Sequence, residues 1–373
     1  MPPRVLVACD KFKGSLTGRQ VLTAISDAMR CAVPDLEIRG VLIADGGDGT
    51  LDAVEAAGFT RVPVRAAGPL GQERDSSYAV RDGRAVVEMA DVCGLARLPG
   101  ARKDPLGATS RGVGDVLRAV LDAGVREIVL GIGGSASTDG GAGMLQSLGA
   151  RLLDDSRAEL APGGGPLAEL ASLDLSGLHP GLADAAITLA SDVHNPLLGE
   201  HGAAAVFGPQ KGASPSQVQD LDGALGRFAQ FVTAATGRDD TRRPGAGAAG
   251  GVGYAAIAVL GARMQPGIDV ILELNDVDGL LAGADLVVTG EGTLDLQTLL
   301  GKAPAGVARA AREAGVPVVA LCARATLCLE DLARAGFRAI YQLVDLEPDP
   351  NVCMRDADRL LRELAAHAAR DSF

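Results

Sequence analysis

Acids, lysines and glycines recur in this sequence at one kind of place, just past short apolar runs. Val5-Leu6-Val7-Ala8 leads to Asp10-Lys11-Phe12-Lys13-Gly14-Ser15, and Val41-Leu42-Ile43-Ala44 to Asp45-Gly46-Gly47-Asp48. Glu127-Ile128-Val129-Leu130 opens a glycine-rich loop that reaches Asp139. Ala186-Ile187-Thr188-Leu189-Ala190 ends in Ser191-Asp192-Val193-His194-Asn195-Pro196, and Asp285-Leu286-Val287-Val288-Thr289 in Gly290-Glu291-Gly292-Thr293-Leu294-Asp295. Unbroken apolar runs of this length read as buried strands of a parallel sheet. Open parallel sheets take their ligands outside the carboxyl ends of the strands. One such acid alone is best read as a helix N-cap or an Asx-turn. Five such turns together read as the lining of one cleft.

The loop from 131 to 143, Gly131-Ile132-Gly133-Gly134-Ser135-Ala136-Ser137-Thr138-Asp139-Gly140-Gly141-Ala142-Gly143, carries glycines, small hydroxyls and one acid. Met144-Leu145-Gln146-Ser147-Leu148 after it is helical in character and stops at Gly149, a C-cap residue. Glycine leaves N–H groups open to close approach, and a helix N-terminus adds partial positive charge, so the loop suits a phosphate. The bland alternative is a tight strand-to-helix turn. Gly131-x-Gly133-x-x-Ala136 with Asp154 also matches the dinucleotide fingerprint, but Asp139-Gly140-Gly141 interrupts the helix that fingerprint needs. A second match, 245 to 250, follows no strand and reads as a flexible or close-packed segment.

Phosphoryl transfer needs the parts these turns contain. Carboxylates hold Mg²⁺ on phosphate oxygens, N–H groups and lysines absorb charge, and a carboxylate orients or deprotonates the acceptor hydroxyl. Lys11, Lys13, Lys211 and Lys302 all lie beside glycine-rich turns. There is no G-x-x-x-x-G-K-[ST] and no protein-kinase signature.

The elements that must position these residues alternate as β-α-β-α up to about residue 57, with Thr17 as N-cap of a helix over 17–30. Strands at 61–66, 77–81 and 85–89 follow, the last two joined across Asp82-Gly83, a hairpin signal. A helix from Thr109-Ser110-Arg111-Gly112 runs to about 122, and a long amphipathic helix spans 215–236. Alternation returns at the end with a helix over 304–314, strands over 316–321 and 339–344, and a helix over 351–370. The return of this grammar implies a C-terminal segment that rejoins the N-terminal sheet. The 373 residues, 47% of them hydrophobic, suffice for two or three domains. A formal charge of −12, 3% aromatics and no Trp argue against nucleic acid or an anionic membrane as partner. No apolar run reaches the ~20 residues of a membrane span. The start at Met1-Pro2-Pro3-Arg4 reads as entry to a strand rather than a signal peptide. Six scattered cysteines without C-x-x-C fit reduced thiols and a cytoplasmic location, and four histidines without H-E-x-x-H make zinc a poor fit.

The strings Asp10-Lys11-Phe12-Lys13-Gly14-Ser15-Leu16, Ala44-Asp45-Gly46-Gly47-Asp48-Gly49-Thr50, Thr109-Ser110-Arg111-Gly112 and the loop from 131 to 143 resemble the glycerate kinase family of the type I fold. So do Asp192-Val193-x-Asn195-Pro196-Leu197, Phe207-Gly208-Pro209-Gln210-Lys211-Gly212-Ala213, the segment from Pro244 to Gly251, and Thr289-Gly290-Glu291-Gly292. The resemblance runs in order over essentially the whole chain. It implies ATP- and Mg²⁺-dependent phosphorylation of D-glycerate to 2- or 3-phosphoglycerate, in a cleft between two α/β domains. It implies a Rossmann-like domain and a mixed α/β domain, and the returning alternation places the Rossmann-like parallel-sheet domain in both chain ends, 1–66 and 284–373, with an inserted mixed-sheet α/β domain at 67–283. The chain departs from the family pattern at Ser137-Thr138, His194, Thr293 and Ala323, and no departure removes a carboxylate or lysine used below.

Physical fit then assigns the roles. Asp192, Lys11, Lys302 and Asp295 are the expected catalytic groups, with Asp192 facing the acceptor hydroxyl. Lys13, Gly133, Gly134, Ser135, Asp139 and Gly140 are expected at the phosphates or nucleotide. Asp10, Ser15, Ser110, Arg111 and Asn195 are expected at the substrate, and Asp45 and Glu291 at the metal. The competing readings are an NAD-dependent dehydrogenase of a small hydroxy acid and a non-catalytic nucleotide sensor. Association into a homo-oligomer stays open.

Overall fold

A computed structural model describes residues 2–299 and 302–373. Its strands are β1 Arg4–Cys9, β2 Glu37–Leu42, β3 Thr60–Ala67, β4 Glu73–Arg81, β5 Arg84–Glu88, β6 Glu127–Gly131 and β7 Arg151–Leu153. They continue as β8 Ser172–Asp174, β9 Ala186–Ala190, β10 Arg263–Gln265, β11 Leu286–Leu294, β12 Val318–Ala325 and β13 Phe337–Gln342. Two compact units result. The first comprises Met1–Asp45, Asp52–Ala57 and Ile268–Phe373, and the second Gly46–Leu51 and Gly58–Gly267.

In the first unit a parallel sheet has the order β13-β12-β11-β1-β2. Alternate residues of β1 serve opposite cores. Val5, Val7 and Cys9 pack towards the helices Gly18–Ala32 and Ala357–Ser372, while Leu6 and Ala8 pack with Ile268, Leu272, Val307 and Ala311. Thr17 starts Gly18–Ala32 through a capping box, accepting from the Gln20 amide while the Gln20 side chain accepts from the Thr17 amide. The expected last helix is two, Pro350–Arg355 and Ala357–Ser372, broken at Asp356, whose φ of −104° and ψ of 19° leave the helical region.

The second unit holds a mixed sheet of order β10-β9-β6-β5-β4-β3, parallel from β10 to β5 and antiparallel across β4 and β3. Asp82 (φ 51°) and Gly83 (φ 78°) make the hairpin turn between β4 and β5. Helix Arg111–Asp122 buries Val113, Val116, Leu117, Val120 and Leu121, an i, i+3, i+4 stripe, in the main core.

The unit boundaries differ from the expected ones. β3 pairs along its whole length with β4, so the chain has joined the mixed sheet before residue 60 rather than at 66. The return falls at 268 rather than 284, because Ile268, Leu272, Val277 and Leu281 bury their side chains in the first unit's core. β11 also runs further than expected. Glu291, Thr293 and Leu294 continue its pairing with β12, so Glu291 projects from a strand rather than a turn. No helix among the described residues is long and apolar enough to cross a membrane.

Candidate active site

In the first sheet, β1 lies between β2 and β11, and the chain leaves β1 towards β2 but β11 towards β12 and β13. This reversal is a topological switch point, the usual ligand crevice of an open parallel sheet. Asp10, Asp45 and Glu291 stand at its carboxyl end. The Asp10 amide donates to the Gly290 carbonyl at 3.1 Å, and Asp10 Oδ1 accepts from the Lys11 amide at 2.6 Å. Burial pushes the Asp10 carboxyl up to about 7, the charges of Asp45 and Glu291 add to the shift, and Lys11 opposes it. Burial also raises Glu291, against a hydrogen bond from Thr298 Oγ1 and the charge of Lys302. The sequence reading missed Thr298. It is buried, and its signal lay in the Asp295-x-x-Thr298 spacing of a helix start.

Asp295 Oδ1 accepts from the Thr298 amide and so caps the short helix Leu296–Leu299. Lys302 begins the helix Ala303–Glu313. Gly301, its neighbour, lies outside the described residues. Lys13 and Ser15 sit on a closed loop in which the Phe12 amide donates to Leu16 O and the Leu16 amide to Phe12 O, with Gly14 at φ 86°. Ser15 Oγ donates to Phe12 O within that loop, while Lys13 is exposed. The acids at this strand end offer hard oxygen donors and crowd like charge, which suits a divalent cation. Among the described residues no three or more acids, cysteines or histidines form a metal-holding group. Mg²⁺ that arrives on phosphates needs only one or two carboxylates, so the donor set fits it.

In the second unit the glycine-rich loop leaves β6 beside the turn that leaves β9, since Gly131 pairs with Ala190. Its glycines serve two different ends. A Cβ on Gly133 would lie 2.6 Å from Gly47 Cα, and one on Gly140 within 3.0 Å of Phe228 and Leu225, so these two positions are glycine for packing. The Gly133 N–H is itself spent on Gly46 O. Gly134 is exposed at φ 74°, with only Ala90 Cβ near, at 3.4 Å. Of the expected phosphate-facing glycines, only Gly134 is open to a ligand.

Asp139 is fully buried, and its carboxylate accepts from the amides of Ser110, Gly141 and Gly143 and from Ser110 Oγ. Ser110 Oγ also accepts from the Met144 amide. Both side chains expected at ligands are therefore consumed in tying the loop to the start of helix Arg111–Asp122. Gly140 and Gly141, at φ 66° and 80°, delay the next helix to Ala142, and Asp154 spends Oδ1 on Ser156 and the Ala158 amide. Neither half of the dinucleotide fingerprint survives. The second match is close-packed: a Cβ on Gly247 would meet Pro196 O at 2.2 Å, and one on Gly250 would meet Ser137 O at 2.1 Å.

Two residues that were not assigned roles hold the loops in place. Lys211 is 2% exposed, and its Nζ donates to Ser135 Oγ at 2.8 Å and to Ser137 O. Burial lowers its ammonium to about 7, with the Asp139 charge opposing. Its signal was present in Phe207-Gly208-Pro209-Gln210-Lys211-Gly212, but nothing local said that the side chain reaches a loop 76 residues away. Glu88 is 4% exposed and accepts from the Gly49 and Leu51 amides, clamping the turn that follows Asp45. Burial pushes it up to about 7. It ends β5 and so obeyed the strand-end rule, hidden because the strand was expected to run to 89.

Asp192 Oδ1 accepts from the Gly267 amide at 3.0 Å, and the Ser191 amide donates to Gln265 O, so the turn after β9 is anchored on both sides of the carboxylate. Asn195 uses its side-chain amide on His201 O. Arg111 does not join this group. It is exposed and lines a surface depression with Arg65, Asp115 and Arg118 on the β3 side of its helix.

Residues 5–372 match the glycerate kinase family. The chain is 40% identical to glycerate kinase from Bacillus subtilis over 99% of this chain and 96% of that protein. It is also 40% identical to glycerate 2-kinase from Escherichia coli over 91% and 90%. A crystal structure described as glycerate kinase 2 from Salmonella typhimurium LT2 superposes with a TM-score of 0.84 at 41% identity, covering 100% of this chain and 98% of that one. With the acids at the switch point, the clamped glycine loop and this similarity along the whole chain, the protein is an enzyme, a kinase, and it belongs to the glycerate kinase family.

Proposed function

We propose that this protein transfers the γ-phosphoryl group of ATP to D-glycerate. The observation that carries the reading is the group Asp10, Asp45 and Glu291 at the switch point, with the charge of Lys11 felt at Asp10 and that of Lys302 at Glu291. Asp45 and Glu291 would hold Mg²⁺, which neutralises charge on the phosphates. Lys11 and Lys302 supply further positive charge, and Asp10 orients the polar substrate. In the second unit Gly134 and Ser135 offer amides to phosphate, while Asp139 and Ser110 position that loop rather than touch the ligand. Asp192 faces the acceptor hydroxyl. The relative named glycerate 2-kinase supports the 2-hydroxyl as acceptor.

Purified protein should release ADP only when ATP, D-glycerate and Mg²⁺ are all present. Coupling the product directly to enolase should generate phosphoenolpyruvate without added phosphoglycerate mutase. A signal that waits for the mutase assigns the 3-hydroxyl instead, and absence of ADP with glycerate overturns the activity.

The loop assignment has its own test. Gly134→Ala costs on the order of 1 kcal/mol through its positive φ but has room for the methyl. If the methyl displaces one phosphate contact worth about 1.4 kcal/mol, nucleotide affinity falls about tenfold. A folded variant with parental affinity would remove Gly134 from the site.

A further inference from the structure

One pocket of the second unit is basic in a chain whose formal charge is −12. It encloses 540 Å³ and is lined by Arg238, Arg243, Arg263 and His194, with Ile257 and Met264 among its apolar walls. That volume lies within the range of small-molecule sites. None of the residues assigned above to catalysis, nucleotide, substrate or metal lines it, and Gln265, whose carbonyl anchors the Asp192 turn, stands on its wall.

The arginines are held in different ways. Arg238 Nη2 donates to the carbonyls of Ile257 and Ala258 and pairs with Asp240 Oδ2 at 3.2 Å. Arg243 Nη1 pairs with Asp240 Oδ1 at 3.5 Å. Asp240 is 7% exposed, so one buried carboxylate faces two guanidinium groups and is hydrogen-bonded to that of Arg243. Arg263 lies on the edge strand β10, is exposed, and has no side-chain partner among the described residues. Three cations against one anion leave two positive charges, before any contribution from His194. A phosphate monoester carries about −1.5 to −2 near neutral pH and matches planar guanidinium donors in bidentate fashion.

We infer that this pocket is a second anion site that binds a dianionic phosphate, free or carried on a small metabolite, with Arg263 as its uncommitted fork. Arg238 is preorganised by the Ile257 and Ala258 carbonyls and Arg243 by Asp240, which lowers the ordering cost of binding. The apolar walls accommodate a short carbon body. The inference does not depend on the proposed reaction.

Isothermal titration of the full chain with inorganic phosphate, at about 0.15 M salt to screen diffuse attraction, tests it. Arg263→Ala should weaken a phosphate site by about tenfold or more, the loss of one strong contact. Arg263→Lys should lose most of the same affinity, because it keeps the charge but not the fork. Arg151→Ala removes a surface arginine that pairs with Glu159 and does not line the pocket, and it should change nothing. The backbone of β10 still pairs with β9 in each variant, and thermal melts check that they fold. Parental affinity in Arg263→Ala, an equal loss in Arg151→Ala, or no phosphate bound by the parent would each overturn the site.

Discussion

Asp192→Asn should lower kcat on the order of 10²–10⁴-fold with little change in substrate KM, as loss of a general base does. The substitution keeps the bond that anchors the turn. An amide oxygen at the same place still accepts from the Gly267 amide, and the flanking bond from the Ser191 amide to Gln265 O is untouched. The turn therefore keeps its shape while the carboxylate loses charge and basicity. Two rival roles give different results. A metal ligand would show partial rescue of kcat by raised Mg²⁺, and a purely structural turn would show parental kinetics. Measuring kcat over a Mg²⁺ series separates the three.

Lys211→Met should be the most damaging substitution in the glycine-rich loop's support. Methionine fills similar volume but withdraws both donors, leaving Ser135 Oγ and Ser137 O without them in a buried place. Each buried polar group left unpaired costs about 1–3 kcal/mol. Turnover should fall on the order of 10²-fold, the cost of displacing a positioned group by about an ångström. The effect on stability has a sign that depends on pH. Lys211 is held at about 7, below its ordinary 10.5, so its neutral form is favoured by folding. Its contribution is fully present above 10.5 and is lost as pH falls towards 7, below which it stays level. The Tm advantage of the parent over Lys211→Met should therefore widen between pH 7 and pH 9. A gap that stays constant across that interval would mean that burial of Lys211 is not coupled to its ionisation.

Local chemistry alone determined much of this protein. The Thr17 capping box, the Asp82-Gly83 hairpin and the strand-end position of Asp10, Asp45 and Asp192 are decided within a few residues by hydrogen-bonding side chains, positive φ and apolar runs. Such signals are readable because cap and turn geometry involves neighbours in sequence. The family was legible for the same reason, as its motifs are short strings. Tertiary structure decided the rest. Gly133 and Gly140 are glycine because Gly47 and Phe228 approach them, and Asp139 is a buried strut because Ser110 arrives from 29 residues away. Glu291 stayed in a strand because β12 is long enough to pair with it. Lys211 and Glu88 gained their roles only when distant loops, folded beside them, presented a carbonyl, a hydroxyl or two amides to a side chain cut off from water. Burial and long-range pairing are properties of the assembled core, so a buried ion's partner is set by packing between segments far apart in the chain.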